Sequence, residues 1–220
     1  MDPRQIVDGL IMYLGLIVLL TFHEFGHAWM AMRCGDDTAR LQGRVSLNPI
    51  VHIDPIGTVI MPLFMILLSA SGSSLSRFLI GWAKPVPVNP YNLRNPRVDD
   101  ILVTLAGPWM NLLLAIVLLG LGRLGVLANS SSLAEICIQM ARLSLLLCFF
   151  NLLPIPPLDG SQVVRSLIGM TYEAYYQFAR FGFVLLIIVW QFPPVRSTIN
   201  FATDQTLAII ANLFGMPGYS

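Results

Sequence analysis

Charged side chains are scarce in this sequence. Only 11% of its 220 residues are Asp, Glu, Lys or Arg, whereas a soluble domain carries about 25%. Hydrophobic residues make up 55%, and the mean hydropathy is +0.71. This composition excludes an ordinary soluble globular domain and is typical of an integral membrane protein. The net charge of +1 also gives no basis for a nucleic-acid partner.

Cysteine and histidine are rare as well. The three cysteines, Cys34, Cys137 and Cys148, form no Cys-x-x-Cys pattern, and the last two lie in an apolar run where small core residues are expected. The sequence therefore gives no evidence of a disulfide framework. Of the three histidines, His23 and His27 are only four positions apart.

Residues 23–27 read His-Glu-Phe-Gly-His, the H-E-x-x-H pattern. On a helix, positions i and i+4 share one face, so both imidazoles can reach one metal ion, and Glu24 is placed to act as a general base. The run from residue 9 to residue 32 carries no other charge and is longer than the roughly 20 residues that cross a bilayer. An ionisable side chain at that depth costs about 2.5–3.5 kcal/mol on insertion scales and therefore indicates function. The pattern predicts a metal site inside a membrane.

The hydropathy pattern predicts an all-α polytopic membrane protein whose residues 1–220 form a single integral-membrane domain. We expect about five or six transmembrane or re-entrant helices, near residues 6–33, 56–70, 101–121, 133–153, 172–192 and 199–214, with a short helix at 161–169. The run 56–70 is short and contains Pro62, so it is either tilted or re-entrant. The run 199–214 either crosses the membrane or lies on its surface.

Two stretches between these runs favour extended backbone. Alternation of apolar and polar residues over 41–47 predicts a short strand, which would be a small membrane-associated β element. The prolines within residues 81–90 exclude a regular helix there.

A catalytic zinc normally takes three protein ligands and leaves a fourth position for water. The two histidines of the motif supply two ligands, and the candidates for the third are His52, Cys34 and Asp159. Prolines before Asp159 and a glycine after it predict a rigid turn at membrane depth, where a carboxylate needs a cation. In the alternative, Asp159 lies in an exposed turn as the N-cap of the following short helix.

Four separated motifs together resemble the site-2 protease family of intramembrane zinc metalloproteases. They lie in the family's order: Phe-His-Glu-Phe-Gly-His-Ala at 22–28, Gly-Arg-Val-Ser-Leu-Asn-Pro at 43–49 with His-Ile-Asp-Pro at 52–55, Leu-Ala-Gly-Pro at 105–108 with Asn111, and Asn-Leu-Leu-Pro at 151–154 with Leu-Asp-Gly at 158–160. The chain is similar to the minimal bacterial branch, which lacks PDZ and CBS domains. That likeness implies a multi-pass protein of the bacterial cytoplasmic (inner) membrane.

The resemblance implies one Zn2+ per chain and a set of functional residues. The zinc ligands would be His23, His27 and Asp159, and the catalytic residues Glu24 and Asn151. Glu24 would polarise the bound water, and the amide of Asn151 would donate to the developing oxyanion. In the alternative for Asn151, its side chain bonds to carbonyls freed at the helix end before Pro154.

Four further residues are candidates for substrate binding: Asn48, His52, Asn89 and Asn111. Asn48 and Asn89 could line a polar cleft through which water reaches the metal. His52 could instead bond to a loop, and we expect Asn111 to hydrogen-bond across helices. Residues 81–89 resemble an extended stretch of the family that could pair with an extended substrate through a free edge; the alternative is an interfacial loop.

The function implied is hydrolysis of a peptide bond within or next to a transmembrane segment of another membrane protein, as in regulated intramembrane proteolysis. The partners would be the lipid bilayer and a single-pass or other membrane protein, whose helix must unwind before cleavage because its carbonyls are bonded within the helix. The alternative is a zinc-binding membrane transporter or a proteolytically silent membrane-protein binder. A transport path usually has polar residues on several helices, whereas Arg142 is the main other charge in a clear span. A silent binder does not need Glu24.

Overall fold

The structure is a computed structural model that describes residues 3–70 and 81–216. Over these ranges all regular structure is helical. The α-helices are α1 (Pro3–Cys34), α2 (Thr38–Leu41), α3 (Met61–Ala70), α4 (Pro96–Leu127), α5 (Ser131–Asn151), α6 (Asp159–Ile168), α7 (Tyr172–Ala179), α8 (Gly182–Trp190) and α9 (Pro193–Leu213). Shorter helical turns of other pitch lie at Pro49–His52, Pro55–Ile60 and Pro90–Asn92.

Three of the helices in the described ranges are long and apolar enough to cross a membrane: Gly9–Cys34 of α1, together with α4 and α5. Helices α7 and α8 would form a fourth span if they are taken together, with a bend of 56° between them. The prediction of an all-helical membrane protein is therefore confirmed. The expected count of five or six transmembrane or re-entrant helices is not confirmed, because Pro55–Leu68 is too short to be counted as a span and α9 carries several polar side chains.

Helix α4 lies at the centre of the bundle. It runs antiparallel to α1, and the two backbones approach so closely that a Cβ at Gly26 would lie 2.6 Å from the carbonyl oxygen of Ala106. A tight turn at 128–130, where Asn129 has a φ of 57°, then reverses the chain into α5. Helices α4, α5 and α9 enclose the largest apolar core, formed by Ala115, Leu119, Ala141, Leu145, Leu207, Ile210, Ala211 and Met216.

An ion pair also joins α5 to α9. The Nε atom of Arg142 lies 3.0 Å from Oδ1 of Asp204, and each of the two side chains is about half exposed. Arg142 is the charge that the sequence placed in a predicted span, and its partner belongs to the most polar of the long helices.

The predicted strand near residues 41–47 is wrong. Helix α2 ends at Leu41, Gly43 takes a φ of 68°, and the chain then bends as far as residue 48. Asp36 causes this compact course, because its fully buried carboxylate accepts hydrogen bonds from Thr38, Asn92 and the backbone N–H of Asn89. Leu41 and Leu47 are both exposed, so the alternation does not mark one buried face of a sheet.

Residues 81–89 run extended beside the turns at 49–60 without forming a regular strand. The N–H of Trp82 donates to the carbonyl of Gly57 at 3.2 Å, and the hydroxyl of Thr58 donates to the carbonyl of Trp82 at 2.8 Å. The N–H of Lys84 donates to the carbonyl of His52 at 2.9 Å. The stretch is thus fixed along one edge. Residues 71–80, which precede this stretch, lie outside the described residues.

Candidate metal centre

Three side chains of the kinds that bind metals, from two distant parts of the chain, meet beside α4. The Nε2 atoms of His23 and His27 are 3.1 Å apart. Asp159 places Oδ2 at 3.2 Å from Nε2 of His23 and Oδ1 at 3.5 Å from Nε2 of His27. The three side chains are only 6%, 12% and 13% exposed, respectively. One ligand atom from each lies within 4.8 Å of the others, so the group could hold a metal ion.

The turn between α5 and α6 brings Asp159 to the histidines. The turn contains the cis Pro156–Pro157 bond, and α6 begins at Asp159 with Leu158 in the N-cap position. The alternative in which Asp159 is the N-cap is therefore wrong. Only glycine fits at position 160, because a Cβ there would lie 2.1 Å from the carbonyl oxygen of Leu152. The carboxylate of Asp159 faces α1, where it contacts both histidines.

A buried polar cluster fixes α6 against the start of α4. The carboxylate of Asp100 accepts hydrogen bonds from Arg165, Ser166 and Tyr172, the last at 2.6 Å. The guanidinium of Arg165 also lies 3.8 Å from the centre of the Tyr172 ring. These bonds join α6 and the first residue of α7 to the first turns of α4 at a buried point. The sequence analysis did not predict this cluster. The sequence feature that could have indicated it is Arg165, a charged residue on a short helix between two apolar runs.

Helix α4 also orients the two imidazoles. Nδ1 of His27 lies 2.8 Å from the carbonyl oxygen of Val103, and Nδ1 of His23 lies 3.2 Å from the side-chain amide of Asn111. Pro108 cannot donate to the carbonyl of Thr104, which loosens α4 near the His27 contact. Metal-binding histidines commonly use the second ring nitrogen in this way. Both Nε2 atoms are thereby directed at the Asp159 carboxylate.

Several observations test whether a metal fits this group. Tetrahedral zinc with ligands at about 2.0–2.2 Å separates neighbouring ligand atoms by roughly 3.3–3.6 Å, which is close to the distances observed here. Oδ2 of Asp159 is buried without a hydrogen-bond partner. A Cβ at Gly107 would lie 2.3 Å from Nε2 of His27 and 2.7 Å from Cε1 of His23, so glycine leaves the space that the imidazoles need. The donor set and its surroundings fit zinc.

Glu24 lies next to this group without joining it. Its Oε2 accepts a hydrogen bond of 3.0 Å from the backbone N–H of Val86, in the extended stretch 81–89. The other carboxylate oxygen, Oε1, makes no hydrogen bond within the described residues. The stretch that the sequence marked as extended is therefore in direct contact with the predicted base.

The remaining predicted residues make mostly local contacts. The amide nitrogen of Asn151 donates to the carbonyl of Leu147 at 2.9 Å. The side chains of Asn48 and Asn89 accept from the N–H groups of Ile50 and Tyr91, at the start of short helical turns. Their roles in catalysis or substrate binding stay predictions.

His52 and Cys34, the other candidates for third ligand, lie outside the three-residue group. His52 is buried, and its Nε2 lies 2.8 Å from the carbonyl oxygen of Ser46. Burial lowers the pKa of His52, and the nearby charge of Arg44 lowers it further, against the opposing effects of the Ser46 hydrogen bond and the Glu24 charge. Cys34 packs against Leu93 and Val103 in a small apolar cluster.

Comparison with known proteins gives a consistent result. The model of peptidase family M50 matches residues 11–128 and 124–190. The chain is 35% identical over 211 residues to YwhC of Bacillus subtilis, which carries the name of a zinc metalloprotease, with 90% of each chain covered. It is 33% identical over 183 residues to the similarly named Rip2 of Mycobacterium tuberculosis, covering 83% of this chain and 67% of that relative. No solved structure matches with significance.

Proposed function

Because the chain belongs to peptidase family M50, we propose that it hydrolyses a peptide bond in or next to a transmembrane segment of a membrane-protein substrate. Membership of this family and the likeness to the named zinc metalloproteases make the chain an integral-membrane zinc metalloendopeptidase. The observation that carries the proposal is the meeting of His23, His27 and Asp159 at a buried point beside Glu24.

The three side chains of this group would hold one Zn2+. Bound there, zinc would act as a Lewis acid and lower the pKa of a water molecule to about 7. Glu24 is the base in this proposal. With Oε2 held by the N–H of Val86, its Oε1 is available to accept a proton from water and to pass it to the departing amine. A positioned acid–base group contributes typically about 10²–10⁴-fold to the rate.

Asn151 is the proposed donor to the oxyanion that develops on the scissile carbonyl. It ends α5, eight residues before Asp159, and its amide nitrogen now donates to the carbonyl of Leu147. Substrate binding would exchange that local bond for one to the substrate. Loss of one such donor in other enzymes costs about 10²–10³-fold in kcat.

The extended stretch 81–89 is the proposed contact for the unwound substrate. The N–H groups of Trp82, Lys84 and Val86 are all used within the protein, and Pro85 and Pro87 have none. The carbonyls of Ala83 and Pro87 have no partner in the part of the chain that the structure describes. A substrate strand could therefore bind mainly by donating its own N–H groups to this edge. A cleft of about 270 Å³ opens at the end of this stretch, between Val88, Tyr91 and residues of α6 and α7.

We also propose a location in the bacterial cytoplasmic membrane, since the named relatives come from bacteria. Five or six membrane-embedded helices would result if Pro55–Leu68 enters the bilayer as a re-entrant helix and α9 lies in it beside α5. Packing of α9 along α4 and α5 through the apolar core supports the second assignment.

The test is cleavage of a single-pass model substrate by the purified, zinc-loaded protein in liposomes, with products located by mass spectrometry. We expect cleavage within or near the substrate's transmembrane segment, and a decrease of at least about 10²-fold for Glu24→Gln with zinc retained. Glu135→Gln, an exposed change on α5, is the matched control. A zinc transporter or a silent binder would retain its activity in Glu24→Gln, and wild-type protein without any cleavage would contradict the proposal.

A further inference from the structure

Arg44 is a buried arginine without an ion-pair partner. The residue is only 5% exposed, and within residues 3–70 and 81–216 no carboxylate oxygen lies within salt-bridge distance of its guanidinium. A buried charge is costly unless it is paired or well hydrogen-bonded. Burial lowers the pKa of Arg44, and the negative charge of Glu24 opposes that change. The guanidinium therefore lies within the electrostatic reach of the proposed base without touching it.

The guanidinium instead binds backbone carbonyls of the extended stretch. Its Nη2 donates to the carbonyl of Lys84 at 2.6 Å and to that of Pro85 at 3.3 Å. The carbonyl of Pro85 and the N–H of Val86 belong to the same peptide group, and that N–H is the donor to Glu24. One peptide group thus connects Arg44 to Glu24. A cation at its oxygen polarises the group and strengthens its N–H as a donor.

Within the described residues no other hydrogen bond fixes residues 85–88, although the side chain of Val88 packs against the apolar cluster that contains Cys34, Leu93 and Val103. The first half, to Lys84, is bonded to residues 52–58, and the N–H of Asn89 is bonded to Asp36 at 2.7 Å. Between these points, Pro85 and Pro87 have no N–H to donate. Arg44 and Glu24 make the hydrogen bonds that hold residues 85–88 in place among the described residues.

We propose that Arg44 is a positioning residue for Glu24. It holds the Lys84–Val86 backbone so that the N–H of Val86 keeps Oε2 of Glu24 occupied and Oε1 turned to the reacting water. Without Arg44, the Val86 peptide group turns away and the carboxylate loses its fixed orientation. This role for Arg44 rests on the proposed function of Glu24 as the base.

The first measurement is hydrogen–deuterium exchange, read by mass spectrometry, on zinc-loaded protein in detergent. Between Lys84 and Asn89 only four residues carry a backbone N–H, because two of the six are prolines. We expect Arg44→Gln and Glu24→Ala each to increase exchange of the Val86 N–H in this peptide at least tenfold, because the N–H groups of Lys84 and Asn89 keep their own partners. Arg44→Lys keeps the charge, can reach one carbonyl and should restore part of the protection. Arg40→Gln, which changes an exposed arginine of α2, should leave exchange unchanged.

The second measurement is kinetic, with the zinc content of every variant determined in parallel. Arg44→Gln should lower kcat by about 10–10²-fold at unchanged zinc content and with KM within about twofold, and Arg44→Lys should recover part of the loss. Unchanged exchange in both Arg44 variants, or kcat within twofold of wild type, would overturn the positioning role. If the wild-type protein cleaves no substrate, the proposed function fails, whereas the exchange experiment still tests the connection from Arg44 to Glu24. Arg44→Lys serves as the deciding variant should Arg44→Gln not fold.

Discussion

The side-chain amide of Asn111 lies 3.2 Å from Nδ1 of His23, at a fully buried point between α1 and α4. A histidine that binds a metal through Nε2 carries its proton on Nδ1 and needs an acceptor there. The Oδ1 atom of Asn111 is buried and has no partner while the Nδ2 atom faces the imidazole. Rotating the side-chain amide by about 180° would exchange Nδ2 for Oδ1, and Oδ1 would then accept the hydrogen bond from Nδ1 of His23. The hydroxyl of Ser144, which donates to the carbonyl of Asn111 at 2.7 Å, holds this part of α4 against α5.

The first prediction concerns this contact. Asn111→Ala should weaken zinc binding by about 10–100-fold, the usual effect of losing an outer partner of a metal-bound histidine. Competition with a chromophoric chelator measures the affinity without any substrate. Asn200→Ala, at an exposed position of α9, is the control and should bind zinc like the wild type. Equal affinities for both variants would show that Asn111 only fills space between the helices.

Two glycines of α4 give the second prediction. A Cβ at Gly107 would lie 2.3 Å from Nε2 of His27, whereas a Cβ at Gly120 would meet only the Phe214 ring, at 3.5 Å. Both changes to alanine favour the helix itself by up to about 1 kcal/mol. Gly107→Ala should displace the imidazole and abolish stoichiometric zinc binding, while Gly120→Ala should keep zinc and stability. Elemental analysis and thermal unfolding distinguish the two. Full zinc content in Gly107→Ala would mean that the space beneath the histidines is not needed.

The meeting of His23 and His27 at one point could be predicted from the sequence, because helical periodicity fixes both positions. His23 and His27 share a face of any α-helix, and a carboxylate at membrane depth needs a cation. The approach of Asp159 to the histidines depended on the resemblance, since it is produced by the turn at 152–158 and by the Asp100–Arg165 pair. Hydrophobic periodicity in the sequence predicts neither this turn nor this ion pair.

The extended stretch shows where prediction from sequence stopped. Prolines at 85 and 87 excluded a helix correctly, and the lack of a regular strand follows from the same missing N–H groups. Its contact with Glu24 joins residues 62 positions apart, and no pattern in either segment encodes it. The false strand at 41–47 arose because apolar alternation cannot distinguish a sheet from a bent loop whose leucines are exposed.

The third prediction tests the ligand from α6. Wild-type protein should contain about one zinc per chain, and Asp159→Asn should contain much less, because a carboxamide replaces the anionic ligand at a buried site. Asp204→Asn removes a half-exposed carboxylate that pairs with Arg142 and serves as the control for the charge change. Undiminished zinc in Asp159→Asn would remove this residue as a ligand. Elemental analysis of detergent-purified protein decides the matter.

The last prediction concerns the pH dependence of stability, with His52 as the titrating group. Its Nε2 faces the carbonyl of Ser46, while Nδ1 is buried without a partner and would have no acceptor once protonated. Burial and the charge of Arg44 lower the pKa of His52 in the folded protein, although the Ser46 hydrogen bond and Glu24 oppose them. The unfolded chain has the ordinary value of about 6.5.

A folded pKa below the unfolded one means that the unfolded state binds the proton more readily. Stability from neutral His52 is therefore complete above about pH 6.5 and is lost as the pH falls through the folded value. His52→Gln keeps a donor for Ser46 and does not titrate, so its Tm should fall by several degrees less than that of wild type between about pH 7.5 and about pH 5.5. The two proteins differ only at position 52, so the difference between the two curves isolates the contribution of His52. Parallel curves would show that His52 remains neutral or equally solvated in both states.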